Sequence, residues 1–160
     1  MPCAKFHPLP RLRSEIERER KAGRVIVLAN GGFDLIHVGH VRYLQQAKAR
    51  GDVLVVALNS DASLKKLKGG GRALIDERGR VRIIAALGCV DYVTVFAEET
   101  VERVLRAITP HIHCKGSDYT LDSIPERDVV RSYGGQMAIV GGAKVRSSSQ
   151  VIAAIKERYG

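Results

Sequence analysis

The chain has 160 residues, 45% of them hydrophobic, and a formal net charge of +9. This length suits one compact domain with a real core, and no apolar run is long enough to cross a membrane. Residues 1–8 lack the apolar centre of a signal peptide, so a cytoplasmic protein is expected. The three cysteines have no paired spacing, which predicts neither a disulfide framework nor a zinc site.

The positive charge favours polyanionic partners, which include nucleic acids and small phosphorylated substrates. Charge by itself does not choose between them. Most basic residues are scattered, and those in residues 11–21 alternate with glutamates, as on a solvated helix face. Only Lys65, Lys66 and Lys68 form a tight cluster in the middle of the chain.

The predicted elements begin with a leader and an amphipathic helix in residues 1–22, which we expect to be an appendage to a domain at residues 23–160. Apolar segments then predict five strands with helices between them. The predicted strands are residues 25–29, 53–59, 92–96, 111–115 and 136–140, and the predicted helices are residues 41–50, 77–87, 100–108, 126–132 and 150–158. This alternation is typical of a doubly wound, Rossmann-like α/β domain, whose five-stranded parallel sheet carries helices on both faces and binds ligands at the carboxyl ends of its strands.

Residues 31–40 follow the first predicted strand and open a helix. They place His37 and His40 at a glycine-rich turn, where free backbone N–H groups and the helix dipole favour an anion. Nucleotidyl transfer spreads negative charge over the α-phosphate oxygens, and two fixed imidazole donors would lower its barrier. Gly39 keeps the space between the rings free of a side chain. Two incidental histidines are the competing interpretation, which the strand and the glycines around them disfavour.

This motif resembles the histidine-x-glycine-histidine signature of a nucleotidyltransferase superfamily. Later segments resemble its heptose adenylyltransferase branch, which serves bacterial ADP-heptose synthesis. The matching segments are residues 30–34 with 37–40, 59–63, 65–69, 115–119 and 147–149. The resemblance implies transfer of AMP from ATP to D-glycero-D-manno-heptose 1-phosphate, giving ADP-heptose and pyrophosphate for lipopolysaccharide or surface-glycan precursors. It also implies Mg²⁺, bound mainly through the nucleotide phosphates and without a metal site on the protein.

The same resemblance implies a role for each matching residue. The catalytic residues would be His37, His40 and Lys68. Nucleotide binding would involve Gly31, Gly32, Phe33, Asp34, Gly39, Lys65, Lys115, Gly116, Asp118, Ser147, Ser148 and Ser149. Substrate contacts would come from Asn59, Asp61, Arg80 and Tyr119. Lys65 and Lys68 would approach the triphosphate from a flexible loop at residues 69–71. Asp34 would orient the glycine-rich turn or hold a metal-bound water.

Three departures from the family pattern weaken particular assignments. Arg78 stands where a glutamate is common, so the salt bridge near Arg80 is absent or shifted in register. Ser117 replaces a second glycine, which the loop tolerates if that residue needs no positive φ. Lys144 and Arg146 lie in a loop that is often acidic in relatives, although Arg146 could itself contact phosphate.

Several assigned residues also have an ordinary structural interpretation. The loop lysines could be solvated, Arg80 could lie on a helix surface, and Asp118 and Tyr119 could be turn residues. One serine of residues 147–149 is expected as a helix N-cap whatever the function. The histidines at 111 and 113 lack the further ligands of a metal set and are expected to be packing residues.

Other functions stay open at this point. A cytidylyltransferase for glycerol 3-phosphate or another polyol phosphate shares the first motif and differs in its base and acceptor pockets. The positive charge suggests a nucleic-acid-binding protein, against which stand the scattered basic residues and an aromatic content of 5%. A nucleotide sensor without catalysis is disfavoured because both histidines are present.

The expected partners are small molecules, with neither nucleic acid nor membrane among them. The resemblance implies a homodimer. Relatives often carry a fused sugar kinase domain, for which 160 residues leave no room, so a separate heptose kinase is expected.

Overall fold

In this computed structural model, which describes residues 3–69, 71, 73–143 and 147–160, helices and strands alternate along the chain. Their order is α1 (Leu9–Lys21), β1 (Ile26–Gly31), α2 (Val38–Lys48), β2 (Val53–Asn59), α3 (Asp61–Leu67), α4 (Glu77–Ala86), β3 (Tyr92–Phe96), α5 (Glu102–Ile108), β4 (Ile112–Gly116), α6 (Arg127–Ser132), β5 (Gln136–Val140) and α7 (Ser148–Tyr159). Among the described residues, no helix is long and apolar enough to span a membrane.

The five strands form one parallel sheet, as predicted, and their order in it is β3-β2-β1-β4-β5. The chain adds β2 and β3 on one side of β1 and then crosses to add β4 and β5 on the other. The order therefore reverses at β1, where the crossover loops separate and leave a crevice at the carboxyl ends of β1 and β4. This topology places the predicted phosphate turn, which follows β1, at the centre of the sheet edge.

Helices cover both faces of the sheet because side chains alternate along each strand. Val27 and Ala29 of β1 point into a buried cluster that includes residues of α2 and α4. Ile26 and Leu28 point into the opposite cluster, which includes residues of α1, α5 and α6. Burial on both faces explains why β1 and β2 are almost continuously apolar.

The N-terminal segment belongs to the fold, which contradicts the expectation of an appendage. Leu12 and Ile16 of α1 are 0% and 1% exposed and pack against β1, β2 and α5. Ahead of the helix, His7 N–H donates to the Val93 carbonyl at 2.9 Å, and Val93 N–H donates to the Lys5 carbonyl at 2.8 Å. Residues 5–7 thereby cover the free edge of β3. The apolar face of α1 and the pairing to β3 both remove surface that would otherwise contact water.

Helix capping explains where the prediction missed helical residues. The helix α2 starts at Val38, earlier than predicted, because the side chain of His37 caps its first turn. Likewise α7 starts at Ser148, after the N-cap Ser147. The helix α3 was not predicted, and it begins where Ser60 Oγ accepts a hydrogen bond from Ser63 N–H at 3.1 Å.

Candidate active site

A cavity of about 540 Å³ opens at the carboxyl ends of the strands. Its wall comes from the β1–α2 turn, the ends of β2 and β3, the loop after β4, and the loop between β5 and α7. The predicted site residues on this wall are Gly31, Gly32, Phe33, His37, Gly39, His40, Asn59, Lys115, Gly116, Asp118, Tyr119, Ser147 and Ser148. The predicted site residues that do not line it are Asp34, Asp61, Lys65, Lys68, Arg80 and Ser149.

The two histidines of the motif form a stacked pair at the start of α2. Their ring centroids lie 3.9 Å apart with an interplanar angle of 29°. His37 Nδ1 accepts from Gly39 N–H at 3.1 Å, and His40 Nδ1 accepts from His37 N–H at 3.3 Å. Because each Nδ1 accepts a backbone hydrogen bond, the neutral form of each ring carries its proton on Nε2. Each Nε2–H group then lies on the side of its ring away from the backbone groups that contact Nδ1.

The environment keeps His40 uncharged near neutral pH. Burial, and to a smaller extent the adjacent His37, lower the pKa of His40 to about 4. A cationic ring would lie against its stacked neighbour, which makes protonation of both rings unfavourable. His40 therefore presents an N–H dipole fixed in direction rather than a positive charge.

The turn before the histidines is shaped by Gly32 and Phe33. A Cβ atom on Gly32 would lie 2.7 Å from Leu64 Cδ2, so α3 approaches the turn closely only because this residue is glycine. Phe33 has a φ of +50°, which is uncommon for a residue with a side chain. Its ring is buried and meets the His40 ring edge-on at 5.3 Å. The strained residue thereby fixes the position of one of the two imidazoles.

Asp34 holds the loop between α3 and α4 and does not face the cavity. Its carboxylate accepts from Ile75 N–H at 2.9 Å, Leu74 N–H at 3.0 Å and Lys68 Nζ at 3.1 Å. Burial alone would raise the pKa of Asp34, but these hydrogen bonds outweigh it and hold the pKa below its usual value. Of the two predicted roles, this geometry supports orientation of the turn. The predicted mobile loop includes Gly70, which lies outside the described residues.

Arg80 is fully buried, which does not support its predicted contact with the acceptor substrate. Its guanidinium donates to the carbonyls of Gly32 at 2.8 Å, Asn59 at 2.7 Å and Ile75 at 3.1 Å. It also pairs with Asp61 at 2.7 Å, which supplies the ion pair that a glutamate at position 78 was expected to make. Arg80 therefore joins the ends of β1 and β2 beneath the active-site turn.

The end of β4 and the start of α6 contribute a buried ion pair to the cavity wall. Lys115 Nζ lies 3.4 Å from Glu126 Oε2 and 4.9 Å from the centre of the Tyr119 ring. Glu126 is 6% exposed and lines the cavity. Glu126 was not among the residues predicted from the sequence. The only signal for its burial is its position after Ile124 and Pro125, at the start of a helix. Ser117 has no positive φ, so the loop accepts it in place of glycine.

The serines before α7 divide their roles. Ser147 is the N-cap, since its hydroxyl accepts from Gln150 N–H at 3.2 Å, and it also lines the cavity. Ser148 Oγ donates to the Leu35 carbonyl at 3.4 Å, which ties α7 to the active-site turn. Ser149 is exposed. The preceding residues Lys144 and Arg146 lie outside the described residues.

Of the histidines at 111 and 113, His113 is buried as expected, whereas His111 lies just before β4 and is exposed. His111 Nδ1 accepts from Ile26 N–H at 2.9 Å. His113 is fully buried, its Nε2 lies 2.8 Å from Asn30 Oδ1, and Asn30 lines the cavity. Burial, with a smaller contribution from Lys115, lowers the pKa of His113 to about 3.

These two depressed values predict how the stability of the protein depends on pH. In the unfolded chain both histidines regain a pKa of about 6.5, so below that pH the unfolded state binds more protons than the folded state. The free energy of unfolding should therefore fall as the pH is lowered from about 6.5 towards the folded pKa values of about 4 for His40 and about 3 for His113. Urea unfolding at about pH 7 and about pH 5 measures this loss. The variant His113→Leu should lose less stability over that interval, and an equal loss would contradict the assignment.

Comparison with known proteins agrees with this geometry. The family model described as cytidylyltransferase-like matches residues 28–156. A bifunctional protein HldE from Geobacter metallireducens is 49% identical over 157 residues, which is 98% of this chain and 32% of that protein. A bifunctional protein HldE from Syntrophotalea carbinolica is 47% identical over 92% of this chain and 30% of its own length. The chain thus spans about a third of the length of these curated relatives.

The chain is also similar to solved structures. The lipopolysaccharide core biosynthesis protein from Thermoplasma volcanium superposes with a TM-score of 0.62 at 30% identity, over 74% of this chain and 95% of that one. Pantothenate synthetase from Thermus thermophilus superposes with a TM-score of 0.60 at 20% identity, over 89% of this chain and 63% of that one, and this likeness shows the fold alone. The predicted superfamily and the predicted class of enzyme are both confirmed, and the chain belongs to the cytidylyltransferase-like family of nucleotidyltransferases.

Proposed function

We propose that this protein transfers AMP from ATP to D-glycero-D-manno-heptose 1-phosphate and releases pyrophosphate. The observation that carries the proposal is the stacked His37–His40 pair, whose Nδ1 atoms are held by the backbone of a turn that lines the cavity. The choice of a heptose rests on the segments 59–63 and 115–119, which resemble that branch. The relatives named HldE and the lipopolysaccharide core protein support the same choice.

In this proposal the chemistry is a single in-line displacement. An oxygen of the sugar phosphate forms a bond to the α-phosphorus of ATP as the bond to the pyrophosphate oxygen breaks. The Nε2–H groups of His37 and His40 donate to the phosphate oxygens on which charge accumulates. The sugar phosphate is already an anionic nucleophile, so no covalent enzyme intermediate is needed. The site has to align the two phosphates and stabilise the transition state.

The N-terminus of α7 and two lysines at the end of α3 would hold the remaining phosphates. Ser147 and Ser148 bring the N-terminus of α7 to the cavity wall, where its N–H groups favour an anion. Lys65 and Lys68 remain proposed triphosphate contacts. In this structure Lys68 is bound to Asp34, so it would have to exchange that carboxylate for a phosphate oxygen.

Magnesium is proposed as a cofactor that neutralises charge on the triphosphate. Among the described residues, no group of three or more His, Cys, Asp or Glu side chains is arranged to hold a metal ion. We propose an ion held mainly by phosphate oxygens and water, which is the usual preference of Mg²⁺ in nucleotide sites. The residues of the chain would then contact the phosphates that bind the ion and not the ion itself.

The acceptor sugar would lie against the loop after β4. Asp118, Tyr119 and Glu126 line the cavity there and present oxygen acceptors and an aromatic face, which suit the hydroxyl groups and the C–H surface of a sugar. We also propose that the protein is a cytoplasmic homodimer and that a sugar kinase supplies its heptose 1-phosphate.

A matrix of substrates tests the proposal. Pyrophosphate release is measured with ATP, GTP and CTP, each paired with heptose 1-phosphate and with glycerol 3-phosphate. The expected result is the highest kcat/KM for ATP with the heptose phosphate. Turnover of CTP with glycerol 3-phosphate and none with heptose phosphates would overturn the proposal in favour of a polyol-phosphate cytidylyltransferase. Salt-dependent nucleic-acid binding without any pyrophosphate release would overturn it in favour of the binding protein.

A further inference from the structure

Asn30 and His113 form a buried pair directly behind the phosphate turn. Asn30 lies near the end of β1, immediately before Gly31 and Gly32, and lines the cavity. His113 lies on the neighbouring strand β4, paired with Leu28 in the sheet, and is completely buried. The 2.8 Å contact between His113 Nε2 and Asn30 Oδ1 joins a cavity residue to a side chain that no ligand can reach.

The hydrogen-bonding capacity of the two side chains determines which way the Asn30 carboxamide faces. A neutral imidazole has one N–H group and one bare nitrogen. Among the described residues, His113 Nδ1 has no hydrogen-bond partner. If the proton were on Nδ1, a buried N–H donor would be left unsatisfied, which is rarer in proteins than an unsatisfied acceptor. The proton therefore belongs on Nε2, where it is donated to Asn30 Oδ1.

This assignment leaves the amide nitrogen of Asn30 for the cavity. Its oxygen is engaged by His113, so the two N–H bonds of the amide are the groups that remain for a ligand. Asn30 lines the same cavity as the N-terminal residues of α2 and the two histidines, at the part of the site that favours anions. Without His113 the amide could turn and present its oxygen to a phosphate, which would be repulsive.

We propose that His113 is a positioning residue that fixes the carboxamide of Asn30, so that the amide N–H groups donate to a phosphate oxygen of the bound substrate. The inference rests on the proposed function only in requiring phosphorylated substrates at this turn. The phosphate oxygen can belong to the nucleotide or to the sugar phosphate, and binding experiments separate the two sources.

A double-mutant cycle tests whether His113 acts through Asn30. Calorimetry gives the Kd of ATP, of inorganic pyrophosphate and of heptose 1-phosphate for the wild type, Asn30→Ala, His113→Leu and the double variant. Each single variant should raise the Kd of the responding ligand about tenfold, and the double variant should bind no worse than Asn30→Ala. A response to ATP and pyrophosphate places the oxygen on the triphosphate, and a response to heptose 1-phosphate alone places it on the acceptor.

Control variants separate positioning from a general loss of structure. His111→Leu makes the same chemical change two residues earlier, just before β4 and away from the cavity, and should leave all three Kd values unchanged. His113→Gln retains an N–H donor of similar reach and should restore part of the affinity. If His113→Leu weakens binding equally in the presence and absence of the Asn30 side chain, or does not weaken it at all, the inference is wrong.

The tautomer of His113 gives a test that does not involve a substrate. Nitrogen NMR of the protein should show the proton of the His113 ring on Nε2, and a proton on Nδ1 would overturn the inference. If heptose phosphates fail to bind while ATP binding responds to both substitutions, the proposed acceptor is wrong and the role of His113 stands.

Discussion

Replacing His37 with asparagine, or His40 with glutamine, should lower kcat by about 10²–10³-fold. Each change removes an imidazole Nε2–H that we expect to donate to the phosphates in the transition state. The substitutions are chosen because both histidines also cap α2 through Nδ1. Asparagine is a favourable N-cap and glutamine a favourable residue at the third helical position, so the helix start should survive. Pyrophosphate release under saturating substrates measures the loss of kcat.

Alanine substitutions at the same positions provide the comparison. His37→Ala also removes the cap and should cost about 1 kcal/mol of stability in addition to activity. Unfolding curves of the capped variants should match the wild type, which would assign their loss of kcat to chemistry. Because the rings are stacked and face the same phosphates, the double variant should lose less than the product of the single effects. Near-normal kcat in both capped variants would remove the histidine pair from the mechanism.

The turn that carries the two histidines could be predicted from the sequence because its signals are local. A buried strand, a glycine pair, two histidines and a helical pattern follow one another within residues 25–48, and the structure brings them together in that order. The alternation of strands and helices likewise predicted a parallel sheet, although it did not predict the order of the strands. What the local pattern could not show is that the histidines serve as their own helix caps, because capping depends on side-chain rotamers.

The contacts of the supporting residues could not be predicted, because their partners are distant in sequence. Asp34 lies within the predicted motif. Its carboxylate nevertheless accepts hydrogen bonds from the backbone N–H groups of residues 74 and 75, which no spacing rule connects to it. Glu126 pairs with Lys115 across the loop after β4. The prediction that residues 1–22 are an appendage was wrong for a similar reason. The prolines before Leu12 indicated irregular structure, but Leu12 and Ile16 pack in a core that is built from later strands.

Arg80 gives the largest stability prediction. Replacing Arg80 with methionine keeps a long side chain but removes every donor to the carbonyls of Gly32, Asn59 and Ile75. Buried carbonyls left without a donor cost about 1–3 kcal/mol each, and breaking a buried charged network costs about 3–5 kcal/mol in total. Asp61 contributes less to that loss because its side chain is 50% exposed and can be hydrated. Urea unfolding at neutral pH measures the change in free energy.

The same substitution should also lower activity, because Arg80 holds the carbonyl of Gly32 in the turn that carries the histidines. Arg80→Lys keeps the charge but has a single nitrogen to replace three, so it should recover little of the lost stability. Arg78→Met, at an exposed position on the same helix, is the matched control and should change neither the unfolding free energy nor kcat. If Arg80→Met instead unfolds like the wild type and affects only the KM of the acceptor, Arg80 contacts substrate, as the family resemblance implied. The buried hydrogen bonds of its guanidinium are then not its principal role.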